Sequence, residues 1–197
     1  FSSRRRHTRS GRVTGVQTCA LPISTIIRKL PFEGEDGILS NYFEVASCSH
    51  PPLWTSAVVI KKSAIQAIGG FPIGIKSGED LLTWARLAVS GVIAYSRKSL
   101  AIFNVEGYSV TEKPKRLPAE DDVVGKELKK LLKTCPCKGL KLYNALWHKM
   151  RSSVYLRLNM PEKSIYEAVI ALSYDPFSYK LYAYILLNLL PKKIRPI

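Results

Sequence analysis

The feature that most constrains the fold of this chain is the apolar run Ser-Ala-Val-Val-Ile at residues 56–60. β-branched residues favour strands, and an apolar run without polar alternation is typical of a strand buried on both faces of an α/β sheet. Ser63 can cap a short helix over residues 64–68, and Gly69 and Gly70 provide the left-handed backbone that ends it. The close succession of strand, helix and glycine turn predicts an α/β fold for this part of the chain.

Further helices and strands are predicted on either side of this run. Residues 38–46 suit a short helix, and Gly91 ends a second, amphipathic helix that follows the acidic turn at residues 77–80. Two strands are predicted after that helix, over residues 92–95 and 99–105. The apolar stripe of the amphipathic helix consists of Leu81, Leu82, Trp84, Ala85, Leu87 and Ala88.

The character of the chain changes at a polar, proline-containing linker, residues 111–118. The part after the linker has helical patterning, with Pro161 where a helix begins and the Asp175-Pro176 step interrupting the pattern. The sequence thus predicts a mixed α/β region followed by an all-helical one. The helices are predicted over residues 123–133, 140–158, 161–172 and 176–190, and the last two can pair as a hairpin.

The first 24 residues resemble a translated stretch of synthetic DNA more than natural protein. Residues 13–23 back-translate in a single frame into a string that looks like a short-read sequencing adapter, and residues 2–9 back-translate in the same frame into its other arm. We therefore interpret residues 1–24 as a translated adapter, expect them to be disordered and set them aside. The natural product is then expected to begin near Thr25 and to be truncated at its N-terminus.

Setting that segment aside changes the argument from charge. The segment holds five arginines and no acid, so the formal net charge falls from +15 to +10. A charge of this size without a docking motif is weak evidence for nucleic-acid binding, and we expect no nucleic-acid partner. Three cysteines remain without a secretory signal, which favours reduced thiols and a cytoplasmic location. The longest apolar run, residues 181–190, is about half the roughly twenty residues that a spanning helix needs.

A family resemblance emerges from the combined pattern of residues 36–110. The pattern consists of the apolar run and Gly-Gly-Phe turn of residues 56–71, the Gly-Glu-Asp-Leu-Leu-Thr-Trp motif of residues 78–84, and the short apolar segments 93–96 and 100–103. Their order, spacing and residue types resemble the second half of family-two glycosyltransferases of the GT-A fold.

The resemblance implies a domain organisation and an activity. A truncated, acceptor-side half of a GT-A domain would occupy residues 25–112, followed by a linker over 113–122 and a helical region over 123–197. The implied activity is inverting transfer of a sugar from a nucleotide-sugar donor to a saccharide or lipid-linked acceptor, in bacterial surface-polysaccharide assembly. The Asp-x-Asp motif of the donor-binding half does not occur in this sequence. We therefore expect the chain by itself to be inactive.

The resemblance assigns roles to the acidic turn. Asp80 is the expected general base, which takes the proton of the acceptor hydroxyl as that oxygen attacks the anomeric carbon. Glu79 is the expected supporting carboxylate. Trp84 and Trp54 are expected to bind the acceptor, because aromatic faces stack well on sugar rings. From local sequence alone, Ser77 and Asp80 can instead form a capping box, and both tryptophans can be core residues.

A divalent metal, Mg²⁺ or Mn²⁺, is implied as a cofactor of the intact enzyme, where it would screen the charge of the leaving nucleotide diphosphate. Family members often bind it with a histidine just after the last strand. The matching position here is near Glu106, with Asn104 where a basic residue is common, so Glu106 is the candidate ligand and the sequence departs from the family pattern. An alternative zinc site would use Cys135, Cys137 and His148 with Cys48 and His50, although this spacing matches no established finger.

Two other acidic clusters lie in predicted loops. They are residues 35–36 and 120–122, and neither follows a Gly-Gly-Phe turn or precedes a helix of the kind that contains Trp84. We interpret both clusters as solvated acids.

The end of the chain suggests a location. Its last helix is rich in tyrosine and leucine and is followed by Lys192, Lys193 and Arg195. Such a segment can lie in an anionic membrane interface, so residues 176–197 are expected to make a peripheral contact at the inner face of the cytoplasmic membrane. The same apolar face can instead pack on the rest of the protein. A non-catalytic helical interaction module is therefore the competing class of function.

Overall fold

The computed structural model describes residues 26–98 and 116–191, and this part of the chain is predominantly helical. Helices make up 56% of it, and its strands form one small sheet of two short strands. The predicted α/β fold, a truncated GT-A half-domain, is therefore wrong. The described helices are α1 (Tyr42–Cys48), α2 (Lys62–Ala67), α3 (Glu79–Ser90), α4 (Val123–Thr134), α5 (Leu140–Arg157), α6 (Pro161–Tyr174) and α7 (Tyr179–Leu189), and the strands are β1 (Asp36–Ile38) and β2 (Ala94–Ser96).

The apolar run at residues 56–60 does not form the predicted strand. A 3₁₀ turn at Thr55–Ala57 precedes Val58, which has extended dihedral angles but pairs with no strand among the described residues. Val58 and Ile60 pack against the core, whereas Val59 is fully exposed. A strand needs a neighbour to satisfy its backbone groups, so the β-propensity of this run produces only extended backbone here.

The small sheet joins two segments far apart in the sequence. β1 and β2 are antiparallel, with Asp36 opposite Ser96 and Ile38 opposite Ala94. The strand predicted over residues 92–95 therefore exists, shifted by one or two residues. The strand predicted over residues 99–105 lies outside the described residues, and so do residues 1–24, for which we predict an adapter origin.

The helical predictions for the second part of the chain are confirmed to within a few residues. Pro161 is the first residue of α6, where its missing N–H costs nothing. Asp122 caps α4, because its side chain accepts a hydrogen bond from the Gly125 N–H at 2.9 Å. No helix within residues 26–98 or 116–191 is both long and apolar enough to cross a membrane.

The main hydrophobic core lies between α1, α3, α4 and α5, so it contains residues from both sides of the predicted linker. Leu82 of α3, Leu128 of α4 and Tyr143 of α5 are almost completely buried in it. Burial of a leucine side chain is worth about 1.5–3 kcal/mol, so these shared contacts hold the two regions together. A second, smaller cluster joins α6 and α7 through Ala168, Ala171 and Leu181.

Gly78 fixes the start of α3 against α5. Its φ is +85°, and a Cβ atom at this position would lie 2.6 Å from two carbons of the Trp147 ring. Gly74 also has a positive φ, +80°, but nothing lies within 4 Å of its Cβ position. Position 78 therefore requires glycine for both its backbone conformation and its close packing. Position 74 requires glycine for its backbone conformation alone.

We expect Gly78→Ala to destabilise the protein more than Gly74→Ala does. The left-handed backbone should cost about 1–2 kcal/mol at either position, and the clash with Trp147 should add about 1–3 kcal/mol at Gly78 only. Urea unfolding followed by circular dichroism measures both. Equal losses in the two variants would mean that Trp147 does not pack against this turn.

Candidate functional site

The acidic turn occupies the first turn of α3, as the sequence predicts. Gly78 is the N-cap residue, and no side chain makes a capping hydrogen bond there. Asp80 instead accepts a hydrogen bond from the N–H of Leu81, its immediate neighbour, through Oδ1 at 2.7 Å. The capping box of Ser77 and Asp80 therefore does not form, and the carboxylate of Asp80 is oriented by a local contact.

Glu79 has a carboxylate oxygen in an unusual environment. Its Oε2 is shut off from solvent and has no hydrogen-bond partner among the described residues. A buried polar atom without a partner costs about 1–3 kcal/mol, and more when the group is charged. The helix dipole at this end favours a negative charge but supplies only about 0.3–1 kcal/mol. The position of Glu79 therefore costs the fold stability.

Two buried tyrosines, Tyr42 and Tyr143, form a hydrogen-bonded chain to the first turn of α3. The Tyr143 hydroxyl donates to the carbonyl of Leu81 at 3.0 Å, so its oxygen must accept the proton of the Tyr42 hydroxyl, 3.1 Å away. Burial raises the pKa of both phenols, and the negative charge of Asp80 raises each further. Both hydroxyls therefore stay protonated and hold α1, α3 and α5 together next to the carboxylates.

The two tryptophans predicted to bind an acceptor differ in exposure. Trp84 is 4% exposed and packs edge-on against Phe71, with ring centroids 6.1 Å apart, so its face is not open to a sugar. Trp54 is 42% exposed, in the segment that precedes the 3₁₀ turn. Of the two tryptophans, Trp54 is the one with a large exposed surface. The metal candidate Glu106 and its neighbour Asn104 lie outside the described residues.

A second cluster of charged residues is buried where α4, α5 and α6 meet. The His148 Nδ1 atom lies 2.7 Å from Glu167 Oε2, and the Arg151 Nε atom donates to Glu167 Oε1 at 2.6 Å. Asp122 Oδ2 lies 3.7 Å from that same Arg151 Nε and 4.0 Å from His148 Nδ1. Asp122 also accepts the indole N–H of Trp147 at 3.0 Å.

The charges of this cluster do not suit a metal ion. Ligand atoms of Asp122, His148 and Glu167 lie within 4.8 Å of one another, the only such group in the described part of the chain. However, the Arg151 guanidinium already supplies the positive charge between the two carboxylates, and it would repel a divalent cation. We therefore interpret the cluster as an ion-pair network and derive no metal chemistry from it. The cysteine and histidine zinc site is likewise not assembled among the described residues.

The protonation of Glu167 is governed by its two partners. Burial by itself favours the neutral acid, but hydrogen bonds from His148 and Arg151, together with their charges, outweigh it and lower the pKa of Glu167. The network therefore stabilises the fold when the carboxylate is ionised.

Sequence reasoning missed this network. Glu120 and Asp121 are largely exposed, as predicted, but the side chain of Asp122 is only 18% exposed, so its interpretation as a solvated acid is wrong. One sequence signal was available: Glu167 is an isolated acid within the apolar pattern of α6, and such a charge is usually paired when it is buried.

Comparisons with known proteins leave the family open. No family model matches the sequence, and neither a curated protein nor a solved structure is significantly similar to it. The resemblance to family-two glycosyltransferases therefore stays a prediction.

We expect Glu167→Gln to destabilise the protein by about 1.5–3 kcal/mol at neutral pH, because it removes the nearer of the two carboxylates that pair with the buried Arg151 and leaves only Asp122, 3.7 Å away. Glu162→Gln is the matched control, since Glu162 lies on the same helix and is exposed. The pKa of Glu167 is below its ordinary value of 4.5. Its stabilising effect is therefore complete above that pH and lost as the pH falls below it.

Urea unfolding at pH 7 measures the predicted loss of stability, and urea unfolding at successively lower pH measures its predicted pH dependence. The native protein should lose more free energy of unfolding below pH 4.5 than Glu167→Gln does. Parallel pH curves for the two proteins would show that Glu167 is not a stabilising anion.

Proposed function

We propose that this chain carries the acceptor-side segment of an inverting glycosyltransferase, which transfers a sugar from a nucleotide-sugar donor to a saccharide or lipid-linked acceptor. Asp80 is the proposed general base and Glu79 its supporting carboxylate. The observation that carries the proposal is the placement of this pair on the first turn of α3, with Glu79 Oε2 buried and unpaired among the described residues. A carboxylate kept where it reduces stability is typical of a functional site.

The family resemblance suggests the proposed chemistry, and the geometry of Asp80 indicates which oxygen would take part. Its Oδ1 is engaged by the Leu81 N–H, so Oδ2 is the atom that would accept the proton of the acceptor hydroxyl. The acceptor oxygen would form a bond to the anomeric carbon while the bond from that carbon to the nucleotide diphosphate breaks, and the diphosphate would leave with the electron pair. No donor or metal site is assigned to the described residues.

A lipid-linked acceptor would suit an enzyme attached to the cytoplasmic face of a membrane. This location rests on residues 176–197, whose apolar and basic character agrees with a peripheral contact. A non-catalytic helical interaction module is the second candidate. It is favoured by an exposed apolar side of α7, on which Tyr179, Leu186 and Leu189 are more than half exposed.

We expect Glu79→Gln to raise the free energy of unfolding by about 1 kcal/mol, because a neutral amide costs less than a carboxylate at the position where Oε2 is shut off from solvent, although the interaction with the helix dipole becomes weaker. Glu162→Gln is the matched control: it also removes an acid from the first turn of a helix, but from an exposed side chain. The control should lose a few tenths of a kcal/mol. Equal losses in both variants would mean that Glu79 merely complements the helix dipole.

We expect a chimera that joins this chain to the donor-binding half of a characterised family-two enzyme to transfer sugar, and Asp80→Asn to reduce its turnover by about 10²–10⁴-fold. Asp36→Asn is the control, because Asp36 is exposed in β1 and has no proposed role. Radiolabelled transfer to a panel of acceptors measures the rate. A chimera that binds donor without transferring it, or one that is indifferent to Asp80→Asn, would contradict the proposal.

A further inference from the structure

The last helix, α7, is apolar on two separate sides. One side packs against the rest of the protein: Leu181 is fully buried in the cluster with α6, and Tyr184 and Ile185 pack against the same cluster. Asn188 is buried on this side as well and donates from Nδ2 to the Ser164 hydroxyl of α6 at 2.8 Å. These contacts hold α7 against α6, and the other side of α7 takes no part in them.

The other side of α7 is a stripe of large apolar residues that faces outward. Tyr179 is 75% exposed, Leu186 64% and Leu189 68%, and Tyr182 is also exposed. At 100° per residue these four positions lie within about 80° of one another, and their mean direction is far from that of the buried side. We call Tyr179, Tyr182, Leu186 and Leu189 the outer stripe of α7. A helix of a single soluble globule normally shows polar residues here.

The end of the chain that contains the outer stripe is basic, and Asp175 is the nearest acid to it in the sequence. Residues 176–197 contain Lys180, Lys192, Lys193 and Arg195 and no acid. Lys180 lies on α7 itself and is exposed. Tyrosine is also enriched where a helix meets both an apolar phase and water, because its ring is apolar and its hydroxyl is not.

These properties together favour one kind of binding partner for the outer stripe. A bilayer that contains anionic lipid offers an acyl layer for the leucines, a headgroup layer for the tyrosines and negative charge for the lysines. A second copy of this chain is less suitable, because pairing the stripe with itself brings the two sets of positive charges together. We propose that the outer stripe of α7 docks the protein peripherally on an anionic membrane surface. This inference is independent of the proposed catalytic role of Asp80.

The experiment is flotation of the full chain with vesicles of phosphatidylcholine, with and without phosphatidylglycerol. The five arginines of residues 1–24 are replaced by glutamine in every protein compared, so that their charge does not contribute. We expect binding to the anionic vesicles that weakens at high salt. Leu186→Asp combined with Leu189→Asp should lower the partition coefficient at least about a hundredfold, because each of the two buried leucines is worth about one factor of ten or more.

The matched control is Val59→Asp combined with Ile73→Asp, which places two acids at fully exposed apolar positions outside α7. It should leave binding nearly unchanged. The pair Leu186→Gln and Leu189→Gln adds no charge and should still weaken binding. Circular dichroism and urea unfolding should confirm that the α7 variants fold, since the substituted side chains are exposed.

Three outcomes would overturn the inference. The first is no flotation of the parent protein with anionic vesicles. The second is loss of binding in the Val59 and Ile73 control, or on replacing Lys129 and Lys133 of α4 by glutamine, while the α7 variants still bind. The third is a concentration-dependent dimer, detected by sedimentation, that the α7 variants abolish without any vesicle binding by the parent.

Discussion

The arrangement of the helices depends most on the packing and hydrogen bonding of the Trp147 indole. Its ring fills the space beneath Gly78 at the start of α3, and its N–H donates to Asp122, the residue that caps α4. The Arg151 guanidinium lies 5.9 Å from the centre of the ring and links it to the ion pair with Glu167. One side chain of α5 thus sets the positions of α3, α4 and, through Arg151, α6.

The position of the proposed site, Glu79 and Asp80, depends on this packing of Trp147. Glu79 and Asp80 directly follow Gly78, so the ring that packs against the glycine also determines where the carboxylates lie. Tyr143, one turn before Trp147 on α5, donates to the carbonyl of Leu81 in the same turn. The helical region of the chain therefore positions the acidic turn, although the two are separated by more than sixty residues in the sequence. A change in the core of α5 is expected to act on the site at a distance.

The sequence predicted the helices well and the sheet poorly, for a physical reason. The helical pattern that begins at Pro161 contains its own start signal, and the hydrogen bonds of a helix lie within the segment itself. The run at residues 56–60 has strand propensity, but a strand is completed by another segment, and no described residue supplies one. The position of the acidic turn was predictable from its motif. The contacts of Trp147, Tyr42 and Glu167 were not, since each joins residues distant in the sequence.

The acidic turn and the helical region pack around one shared core, and we expect them to unfold cooperatively. Amide hydrogen exchange of Trp147→Leu measures this coupling. We expect the amides of α3, from Leu82 onward, to lose protection together with those of α5, because the core between them is opened. Unchanged protection of α3 in this variant, with a loss confined to residues 123–191, would show instead that the two regions fold independently.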